Sequence, residues 1–401
     1  MSSAFIPGRL DRIDTFLQQN YLDTDRFAGT LTLVSRRGEI GHLSALGMMD
    51  SERNKPMQED TIFRFYSMSK PITSVALLML YEEGRFQLSD PVSRFIPAWR
   101  DLRVWVSGGY PNFVSRPVER EMTIRDLLTH QSGLTYGVDS RSQVELANLK
   151  LIRDTQQTDT LAGWADKLTK IPLAFSPGTR WNYSISTDIC GYLVELISGQ
   201  SFDSFLSDRI FKPLGMVDTA FSVPDDKLDR FAACYEPTAD GGRKLQDDPE
   251  TSKFRRTPSL LSGGGGLVST LADYHRFTRM LLGKGELDGT RLLGRKTVEL
   301  MTRNHLKDGL TLAELALKDQ VSEVSHSGIG FGLGFSVVMN PAVAQISGSA
   351  GQYGWGGAAS TAFWIDPLEE VIVIFLTQLM PSSTYPVRRE LQVLVNSALA
   401  E

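Results

Sequence analysis

Residues 62–86, IFRFYSMSKPITSVALLMLYEEGRF, place Ser67 and Lys70 three positions apart at the head of an apolar run that ends at Gly84. The run has helical length and few polar interruptions, so it reads as a buried helix. On a helix, positions i and i+3 share a face and their side chains meet. A lysine turned into the interior is costly unless it is paired or neutral. Pro71, Ile72 and Val75 flank this one, and desolvation favours the neutral amine, which accepts a proton. Ser67, at the helix start, also feels the positive end of the helix dipole, which favours a developing alkoxide. The pattern is that of a nucleophile beside its base, although S-x-x-K is short enough to recur by chance in 401 residues.

Outward from this helix, the chain divides by pattern. Upstream, GTLTLVSRRGEIGHLSALGM (29–48) alternates apolar and polar residues around an Arg36-Arg37-Gly38 turn and predicts a hairpin. Before it, Leu10, Ile13, Phe16 and Leu17 mark one face of an amphipathic helix. Downstream, residues 91–216 read as helical and loop-rich, without a strand series. Strands return in GFGLGFSVVM, STAFWIDP and EVIVIFLTQ, and VRRELQVLVNSALA closes the chain as a helix. The expectation is a discontinuous α/β domain over residues 1–90 and 217–401, with a mostly helical lobe over 91–216 inserted in it.

Composition excludes several classes. A net charge of −5 gives no general attraction to nucleic acid or to an anionic membrane surface. The short basic clusters Lys253-Phe254-Arg255-Arg256 and Arg388-Arg389 read as solvated faces. No apolar run has bilayer-spanning length, and the N-terminal stretch lacks a secretory pattern, so the expectation is a cytoplasmic protein. Cys190 and Cys234 have neither metal nor redox spacing and read as free core thiols. The five histidines form no HExxH pattern, so no metal or other cofactor is expected. No G-x-S-x-G occurs, which removes the nucleophile elbow of α/β-hydrolases.

Further segments carry a resemblance. FRFYSMSKPIT, LSDPVSRFIPAW, MTIRDLLTHQSGL, SPGTRWNYSISTDICGYLVE and YGWGGAASTAFWIDP follow one another in an order and at intervals that resemble the serine β-lactamase and penicillin-binding protein superfamily. Within it, the chain is most similar to the class C β-lactamase-like branch and its family VIII carboxylesterases. The resemblance implies an α/β fold with a mainly antiparallel sheet flanked by helices, β-lactamase/transpeptidase-like, with an inserted mostly helical lobe. It puts Ser67 as the nucleophile, Lys70 as its partner and Tyr183 on the tyrosine of the Y-x-N motif. A tyrosine beside a lysine ammonium is stabilised as phenolate; whether Lys70 or Tyr183 takes the serine proton stays open. The backbone N–H groups of Ser67 and Ala358 are the implied oxyanion donors. Gly356 and Gly357 would let a substrate approach the strand closely, and Trp355 would wall the acyl pocket.

The same segments depart from the lactamase pattern. Ile185 stands where the motif has asparagine, and Trp355 where the closing strand begins with lysine or histidine. Losing both polar groups removes recognition of an anionic, peptide-like substrate, whereas an ester needs only attack and an oxyanion hole. The implied function is therefore serine ester hydrolysis of short to medium acyl chains through an acyl-enzyme, with a small-molecule ester as partner. Amide or β-lactam hydrolysis, acyl transfer, and a non-catalytic scaffold are the alternatives. His130 reads as the holder of a turn, and SGGGGLVST (262–270) as a packed turn without the ending of a phosphate loop. Trp99, Trp105, Tyr110 and Phe113 either line a cleft or fill the lobe's core.

Overall fold

The computed structural model describes residues 4–137, 142–155, 158–317 and 325–400. Its centre is an eight-stranded antiparallel sheet, whose strands we number in chain order: β1 (Gly29–Arg36), β2 (Glu39–Asp50), β3 (Lys55–Pro56), β4 (Ile329–Phe331), β5 (Ser336–Val338), β6 (Tyr353–Gly356), β7 (Ala362–Asp366) and β8 (Val371–Leu376). They lie side by side in the order β4-β5-β6-β7-β8-β1-β2-β3. The two ends of the chain thus meet along β1 and β8, with Leu33 opposite Ile374. The Arg37-Gly38 link between β1 and β2 has positive φ at both residues, 53° and 84°. That is the turn geometry whose twist suits a two-residue hairpin.

Every residue of β8 is buried, because helices cover both faces of the sheet. Ile372, Ile374 and Leu376 point into the main core with Leu31 and Leu33. Val371, Val373 and Phe375 point the other way. The helices α1 (Asp11–Leu17) and α5 (Val387–Ser397) cover that second face with Ile13, Leu17, Leu391 and Val395. On the first face lie α2 (Ser69–Glu82), α3 (Ser186–Ser198) and α4 (Leu271–Leu282). Among the described residues, no helix is long and apolar enough to cross a membrane. Both cysteines are free and buried.

Two readings of the sequence change. Residues 91–216 contain a two-stranded hairpin, Arg103–Gly109 with Asn112–Pro117. Most of its side chains are solvent-facing or half-buried, so no apolar face marks its alternation. The aromatic residues there divide: Trp99 is core, donating to the Ala165 carbonyl, while Tyr110 is 57% exposed. The other change concerns Arg388-Arg389. Arg389 is exposed, but Arg388 is half-buried, turned beneath the sheet and hydrogen-bonded to the carbonyls of Gly357 and Thr361. The helix start at Val387 aims it inward, next to the core residue Leu391 one turn on.

A fully buried cation fixes the chain just before Ser67. Arg64 has no exposed side-chain surface. It donates to Asp247 at 2.7 Å and lies 4.0 Å over the Phe231 ring, and its backbone N–H donates to Gln378 at 3.1 Å. Removing one partner of such a pair leaves a buried charge uncompensated, at a cost of about 3 kcal/mol. Asp247→Ala should therefore lower the unfolding free energy in urea by about 3 kcal/mol. An unchanged urea midpoint would contradict this anchoring.

Candidate active site

Ser67 lies in a short 3-10 turn, Tyr66–Met68, that leads into α2. Its predecessor Tyr66 has φ 44°, a left-handed conformation uncommon for a bulky residue. Tertiary contacts hold the turn in place: Phe65 N–H donates to the Leu267 carbonyl, and Met68 O accepts from the Tyr274 hydroxyl. Lys70 is the second residue of α2, so the i, i+3 spacing brings its amine to Ser67 Oγ at 3.2 Å. Ser67 is 8% exposed and Lys70 1%. The amine makes two further hydrogen bonds, to the Tyr136 hydroxyl at 2.7 Å and to the Gly264 carbonyl at 2.6 Å. The three oxygens satisfy the buried nitrogen in either charge state: an ammonium donates to all three, and a neutral amine donates to two and takes the Ser67 hydroxyl on its lone pair.

Each partner is itself held. The glycine-rich loop is stitched to α2 by Thr73, which donates to Gly263 O at 2.7 Å, and by Ser69, whose oxygen accepts from Leu267 N–H. From α3, the buried Asp188 carboxylate accepts from Gly264 N–H at 3.1 Å and from the Ser262 hydroxyl. Burial raises its pKa above the usual carboxylate value, against the opposing pull of Lys70 and of these donors. The loop is thus a packed turn, and one that supplies a ligand to the lysine.

Tyr183 sits in the turn before α3. Asn182 pins that segment, its N–H donating to the His130 carbonyl and its side-chain amide to Leu134 O. The Tyr183 ring packs among His130, Tyr136 and Trp355, with centroids 5.1, 5.2 and 5.3 Å away. Lys70 Nζ lies 4.6 Å from its centroid, within cation–π range. Trp355 Nε1 donates to the Tyr183 hydroxyl at 3.2 Å. An indole only donates, so the Tyr183 oxygen is the acceptor there. Ile185, buried in the main core, caps the start of α3.

The fourth component is the turn after β6. Ala358 is half-buried, and the backbone of Gly357 abuts the nucleophile segment: a Cβ on Gly357 would lie 2.4 Å from Phe65 O. A Cβ on Gly356 would meet the Arg388 guanidinium at 2.5 Å. The space left by each glycine is taken by protein.

The structure therefore gathers Ser67 and Tyr183 around the buried Lys70 amine, with Trp355 against Tyr183. It adds Tyr136, Gly264 and Asp188, which the sequence reading did not select. Tyr136 stands two residues beyond MTIRDLLTHQSGL, so extending that segment would have found it. Gly264 contributes a carbonyl, which no side-chain pattern signals.

The antiparallel sheet flanked by helices defines a class of fold, and the comparisons agree with it. The Beta-lactamase family model matches residues 16–397, and the chain belongs to that family. Protein Rv1367c of Mycobacterium tuberculosis is 34% identical over 362 residues, covering 90% of this chain and 88% of the relative. Esterase EstB of Burkholderia gladioli is 29% identical over 400 residues, covering 94% and 91%. The solved structure of EstCE1, a hydrolase with promiscuous acyltransferase activity, superposes with a TM-score of 0.79 at 25% identity, covering 97% and 98%.

His130 bears out the turn-holding reading. It is buried at φ 56°, with Nδ1 3.1 Å from Ser184 Oγ. Burial, then the nearby Lys70 charge, push its pKa well below the ordinary histidine value. The folded protein therefore keeps the ring neutral, while the unfolded chain takes up a proton below about pH 6.5. Where the unfolded state binds more protons, stability rises with pH. This contribution is present above that window and lost as the pH falls through it. The drop in unfolding free energy between pH 7 and pH 5 should accordingly be smaller in His130→Asn than in the wild type. Equal drops would contradict a neutral buried ring.

Proposed function

We propose that the protein is a serine hydrolase that cleaves carboxylic esters of short to medium acyl chains through an acyl-enzyme. The observation that carries this reading is the 3.2 Å hydrogen bond between Lys70 Nζ and Ser67 Oγ within a buried, aromatic-walled site. In the first half-reaction, Ser67 Oγ bonds to the ester carbonyl carbon and its proton leaves into the Lys70–Tyr183 pair. The carbonyl oxygen becomes an alkoxide, held by the N–H groups of Ser67 and Ala358. Collapse expels the alcohol, which takes the proton, and the acyl group stays on Ser67. Water then repeats the sequence and releases the acid.

Tyr136 and Gly264 keep the amine in place through both halves, since each accepts a hydrogen bond from it. The preference for esters rests on Ile185 and Trp355. The first is an apolar core residue, and the second spends its only donor on Tyr183. Neither offers a charge to a carboxylate-bearing β-lactam or peptide. Acyl transfer is a second reading, supported by the likeness to EstCE1, and differs only in an alcohol replacing water at the acyl-enzyme.

Nitrophenyl esters of short acids should turn over faster than a chromogenic cephalosporin; the reverse order would overturn the substrate class. Ser67→Ala should lower kcat about 10⁴-fold or more, with a melting temperature within about 2 °C of wild type. Tyr183→Phe, which removes one hydroxyl, should cost about 10²-fold in kcat. Retained turnover in Ser67→Ala would exclude an acyl-enzyme on Ser67, and a folded wild type that turns over neither substrate would leave the scaffold reading.

A further inference from the structure

Behind the turn that follows β6, on the face of the sheet away from Ser67, Arg388 makes a contact that bears on the reaction. This inference rests on the proposed acyl-enzyme chemistry. Arg388 Nη2 donates to the carbonyl of Gly357 at 2.9 Å and to that of Thr361 at 2.7 Å. The same two carbonyls close the turn, Gly357 O accepting from Ser360 N–H and Thr361 O from Gly357 N–H. Ser360 completes it at φ 68°, the left-handed residue of a three-residue hairpin loop.

The Gly357 carbonyl and the Ala358 N–H belong to one peptide unit. That unit is trans, since the cis bonds among the described residues are both X-Pro. In a trans peptide the C=O and the N–H point in opposite directions. A cation bound to the oxygen from behind therefore fixes where the N–H points in front. It also draws electron density toward the oxygen, which makes the N–H a better donor to a negative charge. Glycine at 356 is what admits the guanidinium, because a Cβ there would lie 2.5 Å from it.

We propose that Arg388 is a positioning residue for the second oxyanion donor, orienting and polarising the Ala358 N–H through the Gly357 peptide. The acyl oxygen and Arg388 then sit at opposite ends of one peptide unit, and the effect is strongest when that oxygen carries the transition-state charge. A role confined to holding the turn would change the fold and substrate binding along with the rate. A polarising role changes kcat above all.

A cavity of about 230 Å³ adjoins the guanidinium, lined in part by Gly354, Ala362, Trp364 and Tyr385. It gives a truncated side chain room for a small cation, and so makes rescue a usable test. The measurements are kcat and KM on a short nitrophenyl ester, the rate at which a fluorophosphonate labels Ser67, and the melting temperature. Arg388→Met should lower kcat and the labelling rate about 10–100-fold, with KM within about 3-fold of wild type and melting nearly unchanged. Gly356→Ala, which pushes the guanidinium off its carbonyls, should show the same pattern. Arg388→Ala should regain rate in millimolar guanidinium chloride and not in equal sodium chloride.

Wild-type kcat in the Arg388 variants would overturn the inference. So would a loss that follows melting or KM and resists rescue. Wild-type protein that is neither labelled nor active would overturn the acyl-enzyme reading and this inference with it. A labelled, active wild type with indifferent Arg388 variants would overturn this inference alone.

Discussion

The site depends on one amine kept out of water. Lys70 is almost wholly buried, and a buried ammonium without partners would cost more than the fold can offset. Ser67, Tyr136 and Gly264 each supply an oxygen to it. These come from the turn before α2, from the segment after His130 and from the glycine-rich loop before α4. The requirement to satisfy one nitrogen thus joins three parts of the chain that are far apart in sequence. Asp188 extends the set from α3 by holding the N–H of the same glycine whose carbonyl meets the lysine.

The strand β6 has the complementary role. Alternation sends Trp355 forward to Tyr183, while the backbone of Gly356 lies against Arg388 behind. The pleat that buries one side of the sheet on α2–α4 and the other on α1 and α5 therefore leaves the turn after β6 between the Ser67 segment in front and a cation behind. Both terminal regions contribute to this arrangement. Strand β1 forms the sheet with β8, and α5 carries Arg388.

Local pattern made much of this legible. The continuous apolar run of β8 and the alternation around Arg37-Gly38 betray strands because burial acts on neighbouring residues. The S-x-x-K pair was readable for the same reason, its members being one helical turn apart. What escaped lacks a local signature. The 103–117 hairpin is largely solvent-facing, so hydrophobicity does not reveal its period. Gly264 acts through its carbonyl, and its partner Lys70 is 194 residues away. Arg388 stands beside an exposed arginine on a helix start, and only the fold shows that one of the pair is turned under the sheet.

The central claim, that an amine-activated Ser67 carries the acyl group, is tested most directly by rapid quenching during turnover of a slow nitrophenyl ester, followed by peptide mass analysis. A product burst matched by an acyl adduct on the Ser67 peptide is expected, both absent from folded Lys70→Met. Steady ester turnover with no adduct, or with the adduct on another residue, would contradict it.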